Sequence, residues 1–439
     1  MTADTTTVAT AGLLRFATAG SVDDGKSTLV GRLLHDSRSV PADQLEAVER
    51  ASRGRGQDGP DLALLTDGLR AEREQGITID VAYRYFTTAR RGFILADTPG
   101  HVQYTRNMVT GASTAELAII LVDARNGIVE QTRRHTLIAA LLRVPHVVLA
   151  VNKMDLAGYA EPVFAAIAEE FTAYAHALGI GEVTVVPVSA LRGDNVVSAS
   201  AHMDWYGGPT VLEHLETVPV RSDPARLPAR FPVQYVIRPG TRQHPDYRAY
   251  AGQLASGVLR TGTRVVVLPS GRSSVITGID LLGERVEEAR APQSVALLLA
   301  DDLDISRGDL IVPVSDVPPV TRDVDATVCQ LTDRPLRVGA RVLLKHTTRT
   351  VPAVVKEIPS RYALDGSAPH PLPGLLSAND IGRVVLRTAE PLAVDAYADN
   401  RRTGCFLLLD PADGATLTAG MAGESFAARP GGGDGRASS

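Results

Sequence analysis

The sequence predicts an α/β nucleotide-binding domain, a mainly parallel sheet with helices on both faces, followed by two β-barrel domains. Three observations carry this. The first half alternates short apolar runs with amphipathic stretches. A glycine-rich loop, GSVDDGKS at 20–27, joins the first such run to the first amphipathic stretch. Beyond about residue 220, helical periodicity gives way to closely spaced β-branched runs broken by Gly, Pro and Asp.

In chain order, residues 1–12 and 426–439 read as disordered flanks, the latter rich in Gly and small polar residues. Residues 13–219 form the α/β domain. Its apolar runs 13–19, 92–96, 117–123, 147–151 and 183–188 are each followed by a turn signal and a plausible helix, which argues a parallel sheet. The segment VAYRYFT at 81–87 alternates apolar and mixed residues and suits an edge strand running antiparallel to FILAD. In such sheets ligands collect at the carboxyl ends of the strands, so the loops after these runs are where chemistry is expected. The Pro- and Arg-rich stretch 220–230 reads as a linker, and a second break, PVSDVPP at 313–319, separates β-barrels spanning 231–315 and 316–425.

Composition is that of an ordinary globular chain: 44% hydrophobic and 22% charged among 439 residues. A net charge of −5 supplies no overall attraction to nucleic acid or to an anionic membrane. No run approaches the roughly 18 apolar residues of a membrane span, and the N-terminus lacks the basic and apolar regions of a secretory signal. Cys329 and Cys405 have no metal-like neighbourhood and read as two small buried hydrophobes in a reducing cytoplasm.

The chemistry concentrates in four short motifs, each following its own strand. In the first, Gly20 and Gly25 let the backbone curl around an anion. The N–H groups of Ser21, Val22, Asp23, Asp24 and Gly25, and of the helix start at Lys26, Ser27 and Thr28, face that anion. Lys26 supplies a cation for the β- and γ-phosphates, and the Ser27 hydroxyl is a ligand for Mg²⁺. In the second, DTPGH at 97–101, Asp97 can hold Mg²⁺ through water and Gly100 can offer its N–H to the γ-phosphate. The third, Asn152-Lys153-Met154-Asp155, sets a carboxylate at a strand end where it accepts from the N1–H and 2-amino group of guanine, a pairing adenine does not offer. In the fourth, Ser189-Ala190-Leu191, a backbone N–H can meet the guanine carbonyl oxygen. Each motif alone is weak; four in this order specify GTP.

With these motifs and the segment EREQGITID at 72–80, the chain resembles the P-loop GTPase superfamily in its translation-factor branch. The resemblance implies catalytic roles for three residues: Thr78 as the switch threonine that reaches Mg²⁺ and the γ-phosphate, His101 as the residue that positions the attacking water, and Asp23 as an aid to hydrolysis. Longer stretches narrow the match: DLALLTDGLRAEREQGITIDVAYRYF, HMDWYGGPTVLEHLETV at 202–218, LADDLDISRGDLIV at 299–312 and NRRTGCFLLLDPADGATLTAGM at 400–421. Together they look like the large GTPase subunits of bacterial sulfate adenylyltransferase, over residues 13 to 421. Val102 departs from the glutamate expected there in that family.

What this resemblance implies is a division of labour. A partner small subunit of the PP-loop ATP pyrophosphatase type makes adenosine 5′-phosphosulfate and pyrophosphate from ATP and sulfate. The present chain hydrolyses GTP to drive that uphill step, with Mg²⁺ as cofactor. No SGGKDS-like loop or HxGH occurs here, which assigns the sulfate chemistry to the partner, and no second phosphate loop follows residue 421 to form a fused kinase. Segments 61–86 and 102–110 are the expected partner contacts. The alternative on the same motifs is an elongation-factor-like translational GTPase, which the net charge and the longer stretches disfavour.

Overall fold

Strand β4, Leu117–Asp123, is buried along its entire length, as an apolar run must be when helices cover both faces of a parallel sheet. It lies inside a six-stranded sheet of order β2-β3-β1-β4-β5-β6, where β1 is Ala11–Gly20, β2 Ala82–Thr87, β3 Arg91–Asp97, β5 His146–Asn152 and β6 Val183–Pro187. All neighbours pair parallel except β2, which runs antiparallel to β3 at the edge. The expected strands and the edge hairpin are therefore present, with ends shifted by a residue or two. The computed structural model describes residues 11–54, 60–65, 81–98, 105–220, 223–239, 247–364, 370–371 and 374–423. Thr78, Gly100, His101 and Val102 lie outside the described residues, as do parts of both expected partner segments.

The core of this first unit is built on β1 and β3. Phe16, Phe86 and Phe93 form an aromatic triad, with Phe86 stacked on Phe93 at 4.7 Å and Phe16 edge-on to both. Leu29 and Leu33 of helix α1, Lys26–Asp36, pack into the same cluster, so the helix that follows the glycine-rich loop is seated on the sheet. Gly31 of α1 lies so close to the turn Leu62–Leu65 that a Cβ there would run into the Leu62 carbonyl. Helix Val211–Thr217 starts with a reciprocal capping box: Thr210 Oγ1 accepts from Glu213 N at 3.2 Å, and Glu213 Oε2 accepts from Thr210 N at 2.9 Å. Its far end is capped from the sheet, where buried Arg91 donates through Nη1 to Leu215 O at 2.9 Å and Val218 O at 2.7 Å.

Most residues beyond 222 form a second compact unit, all strands and turns. In the first barrel one split strand closes the sheet. Phe231–Pro232 pairs with Leu310–Pro313, and Tyr235–Ile237 pairs with Ala249–Gln253 on the other side. The second barrel closes because Arg341–His346 pairs with both Arg349–Arg361 and Cys405–Leu409.

One sequence expectation is overturned by the fold. Cys329 is buried in strand Val320–Gln330, but Cys405 is exposed at the opening of its strand, where the thiol donates to Arg402 O. The Pro- and Arg-rich stretch before the first barrel also does more than span a gap. After a short 3₁₀ turn, Pro224–Arg226, it delivers Arg230 into the protein, 2% exposed. The Arg230 guanidinium grips both oxygens of Asp395 at 2.9 Å and donates to Asp316 O at 2.9 Å, linking the first barrel to the second.

Candidate nucleotide-binding site

Four strand ends deliver the motif residues to one edge of the sheet, since β1, β3, β5 and β6 are mutually parallel through β4. From β1 the chain enters the loop 21–25, turns through Asp23 at φ 68° and reaches α1 through Gly25 at φ 86°. Gly25 has no room for a side chain, because a Cβ would strike the Asn152 amide. Ser21 N donates to Asp24 Oδ2 at 2.6 Å, so the Asp24 side chain closes the loop from within, and Val22 and Asp23 stay exposed at its tip. Ser27 and Thr28 open the first turn of α1. Burial pushes the Asp24 carboxyl up to about 6, against the hydrogen bond from Ser21.

Lys26 and Asp97 are both buried and form an ion pair at 3.2 Å. Thr18 Oγ1 donates to the same Asp97 oxygen at 3.1 Å. The other oxygen, Asp97 Oδ2, is buried and has no hydrogen-bond partner among the described residues. A buried carboxylate oxygen in that state is costly by itself and suits a hydrated divalent cation, so Asp97 fits Mg²⁺.

The third motif serves two purposes. Asn152 donates through Nδ2 to Asp24 O at 2.7 Å and accepts from Ala190 N at 2.9 Å, tying the phosphate loop to the Ser189–Leu191 loop. Lys153 reaches the Asp23 carbonyl and pairs with Asp123 Oδ2 at 3.0 Å. Asp155 accepts from Ser189 Oγ at 2.7 Å. Ala190 has thus committed its N–H to Asn152, and Leu191 is left as the loop residue whose N–H meets no partner among the described residues. Asp123, at the end of β4, escaped the sequence reading. Its burial alone would raise its pKa, but hydrogen bonds from Arg125 and Lys153 outweigh that and hold the carboxyl well below the usual range. An Asp four residues before a Gly at a strand end was the available signal, and it is common to many turns.

Residues 12–221 match the family model for the elongation factor Tu GTP binding domain, and residues 323–422 match that for the GTP-eEF1A C-terminal domain-like family. A bifunctional enzyme CysN/CysC of Mycobacterium tuberculosis is 55% identical over 95% of this chain and 68% of its own. Sulfate adenylyltransferase subunit 1 of Bacteroides fragilis is 49% identical over 93% of this chain and 85% of its own. The chain belongs to the sulfate adenylyltransferase subunit 1 family. A further member of that family, from Cellvibrio japonicus, is 49% identical over 95% of this chain and 88% of its own. These relatives match more than nine-tenths of this chain. Among the described residues no helix is long and apolar enough to cross a membrane.

Proposed function

We propose that this chain is the GTP-hydrolysing subunit of a sulfate adenylyltransferase, and that the free energy of GTP hydrolysis drives a partner small subunit to form adenosine 5′-phosphosulfate and pyrophosphate from ATP and sulfate. The observation that carries this is the interlock of the phosphate loop with the Asn152-to-Asp155 motif in a chain about half identical to proteins named sulfate adenylyltransferase subunit 1. In this reading the N–H groups of residues 20–28 cradle the phosphates, Lys26 turns from Asp97 to the β- and γ-phosphates, and Asp155 selects guanine through N1–H and the 2-amino group. Ser27, Asp97 and Thr78 would hold Mg²⁺, which neutralises charge on the phosphates when bound. His101 positions the attacking water, Gly100 senses the γ-phosphate, and Asp23 assists at the loop tip. The loops around Thr78 and Gly100 relax when the γ-phosphate leaves, and that relaxation is the signal passed to the partner.

The test is a reconstitution. The chain is mixed with its small subunit, ATP, sulfate and pyrophosphatase, and phosphosulfate yield is compared with and without GTP. GTP is expected to raise the yield, and His101→Ala to abolish both the hydrolysis and the rise while GTP still binds. Synthesis that survives in His101→Ala without hydrolysis defeats the coupling; an active partner indifferent to GTP defeats the whole proposal. Asp155→Asn is expected to exchange guanine for xanthine specificity, because an amide can donate to the 2-oxo group that replaces the 2-amino. Competition of XTP against GTP for binding reads this directly, and an unchanged preference removes Asp155 from base recognition.

A further inference from the structure

Arg32 sits two turns into α1, on the helix that begins at the phosphate loop, with its side chain one-fifth exposed. Its guanidinium does not point to solvent. Nε donates to Ala190 O at 3.2 Å and Nη2 donates to Leu191 O at 2.6 Å, so the planar fork holds two consecutive carbonyls of the loop after β6. The charge is steadied from its own helix by Asp36, whose Oδ1 lies 3.7 Å from Nη1 and in turn accepts from His35 Nδ1 at 2.7 Å.

The consequence is orientational. A peptide unit whose carbonyl is held on one side presents its N–H to the other. With the Ala190 carbonyl pinned by Arg32 and the Ala190 N–H taken by Asn152, the Ala190–Leu191 peptide plane is fixed, and with it the direction of the Leu191 N–H. Leu191 itself is 65% exposed, so side-chain packing does not set this segment. We infer that Arg32 is a positioning residue for base selection: it anchors the 190–191 carbonyls to the phosphate helix so that the Leu191 N–H is aimed at the 6-oxo group of the purine. The inference rests on the guanine-nucleotide reading given above. It also makes the phosphate helix and the base loop one rigid frame, joined at Asn152 on one side and at Arg32 on the other.

The test uses the full chain and three nucleoside diphosphates. GDP and IDP carry the 6-oxo group, and ADP carries an amino group in its place. In Arg32→Ala, affinity for GDP and IDP should fall by the same factor, on the order of tenfold for the loss of two charge-assisted hydrogen bonds, while affinity for ADP does not change. The GDP-to-IDP ratio is therefore preserved and the GDP-to-ADP ratio shrinks. Arg32→Lys, which reaches one carbonyl but lacks the fork, should recover part of the loss. Should Arg32→Ala fold poorly, Arg32→Met, which keeps an unbranched stem without a donor, is measured in its place with the same expectation. An equal loss for all three nucleotides, or no loss for any, overturns the assignment. A wild-type chain that does not prefer GDP to ADP refutes instead the guanine reading on which it stands.

Discussion

The Asp24 carboxylate is 5% exposed, accepts the Ser21 N–H and feels the neighbouring Asp123, and burial pushes its pKa from 3.8 up to about 6. The sign follows from proton binding. The folded chain holds this proton more tightly than the unfolded one, so the contribution of Asp24 to stability is most favourable below about pH 4 and is lost as pH rises toward 6. Replacing it by Asn, which keeps an acceptor for Ser21 N without the charge, should stabilise the nucleotide-free protein at pH 7.5 by about 2 to 3 kcal/mol at most and be nearly neutral at pH 4. Thermal midpoints of both proteins across this range check it; a difference that does not widen with pH contradicts the account. The purpose of the Asp24 side chain is internal, since the carboxylate ties down the loop, while Asp23 stays exposed at the tip.

At the scale of elements, Arg91 shows how a strand finishes a helix. It opens β3 yet caps helix Val211–Thr217, more than a hundred residues away in sequence, by filling the last carbonyls that the helix cannot satisfy itself. Arg91→Ala should leave Leu215 O and Val218 O buried without their donor and cost about 2 to 4 kcal/mol, against a smaller loss for Arg91→Lys. Urea unfolding followed in the nucleotide-binding unit measures both. Equal losses for the two variants would show that stem packing matters here and capping does not. The strands were legible because β1, β3, β4 and β5 are near-continuous apolar runs with a clear length. The arginines were not. Arg32, Arg91 and Arg230 each look like solvated charge in a linear reading, because their acceptors arrive from other parts of the chain.

Across the second unit, the Arg230–Asp395 pair joins two barrels whose strands do not mix. The network is fully engaged: Thr403 Oγ1 donates to Asp395 at 2.6 Å, and nearby Asn400 Nδ2 donates to Ser256 Oγ at 2.8 Å. Removing one partner of a buried pair strands the other, so Arg230→Ala should cost about 3 to 5 kcal/mol, whereas Arg230→Met with Asp395→Leu should recover most of that loss. Calorimetry of the full chain is the measurement. The expected mark of Arg230→Ala is a transition of the barrels that falls in temperature or divides in two, and an unchanged profile would mean that the junction is held by other contacts.

By itself the sequence determined the order of the elements, the position of the phosphate loop and the base specificity to expect, because those depend on local chemistry: apolar runs of strand length, glycines where the backbone must turn, and a carboxylate at a strand end. Even the edge strand β2 was readable from its alternation. Only the tertiary structure decided how the motifs support one another. That Asn152 and Lys153 brace the phosphate loop, that Arg32 grips the base loop, and that a supposed linker carries a buried arginine all depend on which backbone carbonyls and carboxylates the fold brings near. A hydrogen bond across a hundred residues leaves no local pattern, so the physical reason it forms exists only once the sheet and barrels have closed.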